Sequence, residues 1–324
     1  MIYCGIDISK KTFDLAILIN ESYENNYFSN NTAGIKSFHK WVTRFKQKVI
    51  FCMEATGIYG VALAKYLHQN GYHVVVINPI KTHAFSKLEM QRNKTDAADA
   101  QMIARYCRYL YQASKFEENL FKPKGQYFER LQYLVIRLDQ LKKMHTQENN
   151  RLCVSMDKIT TRMITTTLKL FTKQIKQVED QMRECQKQDE QLDKQVMLLM
   201  SINGIGEKTA WAILAYMGDI TQFMNSKQVA SFAGLNPMKK SSGTSLNRSS
   251  LSKMGHRRLR KSLYMPAMSA IKHNPIILEF YEKLLNKGKP KKVALCAVMR
   301  KLLSISFGVL KSGKEFDVNY ENIN

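Results

Sequence analysis

The chain has 324 residues, a length that suits two domains or two plus a connecting piece, and 44% of them are hydrophobic, too many for a disordered chain. Lys and Arg number 50 against 27 Asp and Glu, a net charge of +23, so a polyanion is the expected partner and nucleic acid the first candidate. The six cysteines (Cys4, Cys52, Cys107, Cys153, Cys185, Cys296) are scattered without a CxxC, which excludes a disulfide scaffold, and no apolar run approaches the ~20 residues of a membrane span. The opening Met-Ile-Tyr-Cys-Gly-Ile-Asp lacks the basic start of a signal peptide. The expectation is a cytoplasmic, nucleoid-associated protein with no membrane partner.

Along the chain, three zones differ in pattern. In residues 1–125 the apolar runs 2–6 and 12–18 predict two strands joined by a Ser9-Lys10-Lys11 turn, and 49–53 a further buried strand. A helix is expected over 61–70, stopped by Gly71, then a strand over 72–77 before Pro79 and a helix over 95–110. This alternation implies an α/β layered domain. Residues 126–195 contain no Gly or Pro. Leu168, Phe171, Ile175, Val178, Met182, Cys185, Asp189, Leu192, Val196 and Leu199 follow alternating steps of three and four, a coiled-coil seam with one charged member. It predicts a helical connector, packed as an antiparallel hairpin within the chain or as a dimer seam. Residues 196–324 read as mainly helical. Their stretch 237–301 holds 16 Lys and Arg against Glu279 and Glu282 alone, a net of +14, which looks like a phosphate-binding surface.

Four carboxylates stand where chemistry could use them. Asp7, in Gly5-Ile6-Asp7-Ile8-Ser9-Lys10, and Glu54, in Met53-Glu54-Ala55-Thr56-Gly57, each end an apolar strand, where burial is costly without compensation. Asp96 and Asp99, in Lys94-Thr95-Asp96-Ala97-Ala98-Asp99-Ala100, share one helix face at i,i+3. Each alone has an ordinary explanation as a cap or a dipole partner. Together they suit hard, oxygen-ligated Mg²⁺ or Mn²⁺, and two such ions ~4 Å apart steady both oxygens of a phosphodiester displacement. The Gly-Ile-Asp start also resembles a phosphate loop of actin-like ATPases, but the second Asp hairpin and Gly-rich adenosine loop of that fold are missing. The seven histidines show no zinc pattern.

Two further segments belong to nucleic-acid binding or chemistry. In Ile202-Asn203-Gly204-Ile205-Gly206-Glu207-Lys208, Gly204, Gly206 and Lys208 fit a helix-hairpin-helix-like turn that brings backbone N–H groups to a phosphate; a plain helix–helix turn is the alternative. The other is Ser241-Ser242-Gly243-Thr244-Ser245, followed by Arg248, Lys253, Arg257, Arg258, Arg260 and Lys261. Their positive charge suits binding and stabilisation of a phosphodiester.

In this order the motifs closely resemble the DEDD transposases of the insertion sequence 110 family, including the Piv-like DNA invertases. The resemblance also rests on Ala-Gly-Leu-Asn-Pro at 233–237 and Leu-Ser-Lys-Met-Gly-His-Arg-Arg-Leu-Arg-Lys at 251–261. It implies an RNase H-like (RuvC-like) domain at 1–125, a coiled-coil connector at 126–195 and a transposase domain at 196–324. It assigns the metal role to Asp7, Glu54, Asp96 and Asp99 and the nucleophile role to Ser242, with adjacent Ser241 as an alternative. It further implies a covalent phosphoserine link to DNA, donor and target DNA as partners, a structured guide RNA, and a dimer or tetramer. A RuvC-like hydrolytic junction nuclease, with Ser242 idle, and a non-catalytic nucleic-acid-binding protein are the competing readings.

Overall fold

The computed structural model describes residues 1–55, 59–89, 95–123, 125–242 and 246–318; for 80, 118, 239–242 and 246–250 it describes the backbone alone. The chain divides into two compact units, Met1–Pro123 and Lys124–Asn324.

The first unit is built on a five-stranded sheet. Its elements are β1 (Ile2–Ile8), β2 (Thr12–Ile19), β3 (Ser22–Ser29), α1 (Thr32–Val42), β4 (Val49–Glu54), α2 (Val61–Gln69), β5 (His73–Ile77), α3 (Pro79–Leu88) and α4 (Asp96–Gln112). The strand order is β3-β2-β1-β4-β5, with β1–β2–β3 antiparallel and β4 and β5 parallel to β1. The α/β character expected from the sequence is therefore present. Ser9 closes the β1–β2 turn, accepting the Thr12 N–H on its hydroxyl at 3.1 Å. Three elements were not expected. β3 is an edge strand whose residues are mostly exposed, so it carries no apolar run to betray it. Its register is set by Asn20 and Glu21, both at positive φ in a two-residue hairpin turn. α1, capped by the Asn31 side chain, and α3 complete the set.

Strand pleating sorts the side chains. Cys4, Ile6 and Ile8 of β1 join a core with Phe38 of α1 and Leu63 of α2, whereas Ile50 and Cys52 of β4 join Ile103 and Cys107 of α4 on the opposite face. Gly5 lies under α4, and Asp7, two residues on, shares its face.

The second unit is largely helical: α5 (Gln126–Cys153), α6 (Lys158–Lys187), α7 (Glu190–Met200), α8 (Glu207–Met217), α9 (Ser226–Phe232), α10 (Arg257–Ser262), α11 (Tyr264–His273), α12 (Pro275–Asn286) and α13 (Lys291–Ser312). Between α9 and α10 lies an unexpected two-stranded hairpin, β6 (Pro237–Ser242) and β7 (Leu246–Leu251). Its polar, serine-rich sequence shows no strand periodicity, which is why it reads as loop. α8 is buried from Ala210 to Met217 and forms the centre, with Trp211 donating its indole N–H to Gln186 at 2.7 Å. α13 is long and apolar enough by composition to cross a membrane, which the sequence reading did not expect, and half of that stretch is buried against neighbours that include α7, α9, α11 and α12.

The uninterrupted seam over 168–199 is corrected. α6 ends at Lys187, and Asp189 caps α7 by accepting the Leu192 N–H at 3.0 Å. Asp189 serves as the N-cap that starts α7, not as a member of a continuous seam. α5 and α6 pack together, and Ile175, Val178, Met182, Leu192, Val196 and Leu199 are spent on the unit's own core. Met182, Leu192, Val196 and Leu199 are fully buried within the unit, the antiparallel packing within the chain that the spacing allowed.

Candidate functional site

The carboxylates of the first unit gather on the α4 side of the sheet. Asp7 lies near the end of β1 and Glu54 ends the parallel neighbour β4. Asp96 and Asp99 occupy the first turn of α4, whose N-cap Thr95 accepts the Ala98 N–H at 3.2 Å. Their proximity is electrostatically visible. Burial first, then the charges of Asp99, Asp96, Glu54 and Asp14, push the Asp7 carboxyl up to about 6.

What brings α4 close enough is the absence of a side chain at residue 5. A Cβ there would lie 2.1 Å from the Ala100 carbonyl oxygen and 2.3 Å from the Ala104 nitrogen. The helix rests on the strand backbone to backbone, with alanines on its contacting face. Arg105 fixes it further along, binding Glu89 at 2.7 Å and the Tyr23 hydroxyl at 3.0 Å. Glu54 is held by α3, where the fully buried Thr82 donates its hydroxyl to Oε1. At the loop ends, Asn30 donates its amide to the carbonyls of Ser9 (2.9 Å) and Tyr59 (3.2 Å).

Asp14 is the residue that sequence reasoning missed. It pairs directly across from Asp7 in the β1–β2 register, and burial, followed by the Asp96 charge, raises its carboxyl too. The signal was available: an acid inside an apolar strand, three residues beyond the Ser9-Lys10-Lys11 turn where Asp7 lies two before it. Like charges directly opposite are unfavourable unless something between them compensates. All five side chains are hard oxygen donors, which suits a divalent cation of the magnesium type. Among the described residues, no three His, Cys, Asp or Glu side chains are grouped closely enough to hold one ion.

In the second unit the expected nucleic-acid residues separate into two classes. Gly204, at φ +104°, is packed inward: a Cβ there would lie 2.6 Å from the Cα of Ala270 in α11. Glycine is required at 204 by this packing and by its positive φ. Gly206 is exposed and caps α8. Lys208 is bound to Glu179 at 2.5 Å and Lys261 to Asp139 at 2.7 Å. Arg260 donates to the Ala233 carbonyl at 2.8 Å, fixing the turn before β6. Arg258 and Tyr216 line the same cleft, and the guanidinium charge opposes the rise that burial gives the Tyr216 hydroxyl. Lys253 and Arg257 are exposed around the start of α10, and Lys253 lies in the left-handed region at φ +54°.

The β6–β7 hairpin is tied at its base. Ser252 N–H donates to the Asn236 carbonyl (2.9 Å), Lys253 N–H to Gly234 (3.2 Å) and His256 N–H to Phe232 (2.6 Å). These bonds join the 233–237 motif to the 251–261 motif, remote in pattern but adjacent in space. Ser241 and Ser242 are the last residues of β6, with Ser242 paired to Leu246 across the tip. Their side chains, that of Arg248 and residues 243–245 lie outside the described residues.

Comparison with known proteins gives a consistent picture. Residues 4–161 match a family described as transposase, of the DEDD type of IS110, and residues 196–282 match the transposase IS116/IS110/IS902 family. The chain is 31% identical to the pilin gene-inverting proteins of Moraxella bovis and Moraxella lacunata, over 97% of each chain. A 75-residue stretch is 39% identical to the transposase for insertion sequence element IS1111A of Coxiella burnetii, covering 23% of this chain and 21% of that one. The T. thermophilus RuvC structure, in complex with a Holliday junction substrate, aligns with 37% of this chain and 99% of its own at TM-score 0.31 and 10% identity.

Proposed function

Because the chain belongs to the IS116/IS110/IS902 family of transposases, we propose that it is the recombinase of a mobile insertion sequence, cutting and rejoining donor and target DNA by phosphoryl transfer. Residues 1–125 form the RuvC-like catalytic part, 126–195 the helical connector and 196–324 the transposase part. Asp7, Glu54, Asp96 and Asp99, with Asp14 beside them, are the residues that would hold Mg²⁺ or Mn²⁺, their carboxylates drawing closer as the ion binds. Bound there, the metal supplies Lewis-acid stabilisation of charge on the scissile phosphate. The buried Thr82 hydroxyl orients Glu54, and Gly5 lets α4 deliver its two aspartates.

Ser242, or Ser241 beside it, is the nucleophile. Its oxygen bonds to phosphorus, the bond from phosphorus to the adjoining sugar oxygen breaks, and that oxygen leaves with a proton. Attack by a sugar hydroxyl on the phosphoserine reverses the step and rejoins DNA without a nucleotide cofactor. Lys253 and Arg257 contact phosphates, and a structured guide RNA supplies target choice. The protein works in the cytoplasm, on nucleoid DNA, as a dimer or tetramer. The exposed stripe Ile159, Met163 and Leu170 on α6, at heptad-compatible spacing, supports a partner helix there.

One observation carries the reading: acids from β1, β2, β4 and α4, far apart in sequence, converge electrostatically on Asp7. The test is recombination of a plasmid carrying the element's ends, with denaturing gels for a protein–DNA adduct. Ser242→Ala should lose adduct and product while still binding DNA. If Ser241→Ala alone does so, the nucleophile is one residue earlier. If neither does, water attacks and the hydrolytic nuclease reading replaces this one.

A further inference from the structure

In the second unit, α5, α6, α8 and α10 enclose a cleft of about 180 Å³. Its floor is apolar, formed by the buried Val135, Leu138, Met182 and Ala212. Its rim carries Lys142, Lys208, Arg258 and Lys261. Among the described residues these charges do not balance. Lys208 and Lys142 share one carboxylate, Glu179, at 2.5 and 3.7 Å, and Lys261 takes Asp139 at 2.7 Å. Arg258 has the neutral Tyr216 hydroxyl. Four cations therefore face two acids. The strain shows at Lys142, whose ammonium is held below its ordinary range by burial and then by the charge of Lys208. Glu179 is mostly buried, but the Lys208 and Lys261 side chains are 51% and 68% exposed, so their ammonium groups can also meet a phosphate at the rim.

We propose that this cleft receives one unpaired nucleotide of a nucleic-acid strand, its base on the apolar floor and its flanking phosphates on the rim. A free phosphate has no use for the floor, and an apolar ligand none for four cations. An unstacked nucleotide presents both surfaces at once. A duplex can offer phosphates to the rim but keeps its bases stacked away from the floor. The inference rests on the nucleic-acid-binding reading above and adds the form of strand recognised.

The test uses the full-length protein and labelled short oligonucleotides of one sequence, as single-stranded RNA, single-stranded DNA and DNA duplex, by fluorescence anisotropy at fixed salt. Ala212→Leu fills the floor and leaves the rim; Lys142→Gln with Lys261→Gln removes rim charge and leaves the floor. Thermal melts check that each variant folds, and the lysine pair decides if the leucine variant does not. Each should weaken single-strand binding on the order of tenfold and duplex binding less than about twofold. Comparing RNA with DNA shows which strand the cleft takes. Unchanged single-strand affinity, or equal losses for strand and duplex, would overturn the proposal while leaving general nucleic-acid binding intact. Wild-type protein that binds none of the three would sink the underlying reading as well.

Discussion

Gly5 of β1 and Ala100 of α4 touch through their backbones, and the helix that carries Asp96 and Asp99 rests on the strand that carries Asp7 only because residue 5 has no side chain. The contact leaves no room for relaxation, since both partners are main-chain atoms. Gly5→Val should therefore destabilise the protein by about 2–3 kcal/mol and displace the start of α4. Thermal unfolding and recombination both measure this. A variant with wild-type melting and activity would show that α4 tolerates a larger separation.

The raised Asp7 carboxyl links stability to pH in the metal-free protein. The folded state binds this proton more tightly than the unfolded chain, so Asp7 favours folding increasingly as pH falls from 7 through about 6 toward its ordinary range. In chelator, the melting temperature should be higher at pH 5.5 than at 7.5 as far as this group decides it. Asp7→Asn should raise the value at pH 7.5 by about 2–4 °C and flatten that dependence, while abolishing strand cleavage. Asp7→Asn that melts lower than wild type at pH 7.5 would mean that the charge is already compensated.

Asp14 faces Asp7 across the β1–β2 ladder. Removing its charge should weaken divalent-metal binding without eliminating a principal ligand. Asp14→Asn is expected to raise the Mg²⁺ concentration for half-maximal cleavage by roughly tenfold, about the effect of losing an outer partner at a metal site. Saturating Mg²⁺ should restore its activity but not that of Asp7→Asn. A metal titration that superimposes on wild type would remove Asp14 from the site.

The helical arm separates two outcomes that the sequence left merged. Ile175 and Val178 pack against the second unit's own core, so Ile175→Asp with Val178→Asp should unfold that unit, not merely dissociate an oligomer. Ile159 and Met163 are 71% and 66% exposed. Ile159→Lys with Met163→Lys should leave the melting temperature unchanged and lower the mass seen by light scattering. An unaltered mass would place the interface elsewhere.

The amino-acid sequence by itself determined a great deal. The strands at the Asp7 and Glu54 ends, the helix opened by Thr95, the small residues around Asp99 and the basic 237–301 stretch all declare themselves through local periodicity, capping and charge, which need only near neighbours along the chain. Folding decided what depends on distant partners. A polar edge strand such as β3 and the serine-rich β6–β7 hairpin exist because another strand satisfies their backbone groups, and no apolar pattern marks them. Asp189 opens α7 although the heptad passes through it, because its side chain accepts the Leu192 N–H. Which acid a lysine meets, as Lys208 meets Glu179, is likewise a property of space. Charge can be counted in one dimension, but its neutralisation falls off with distance in three.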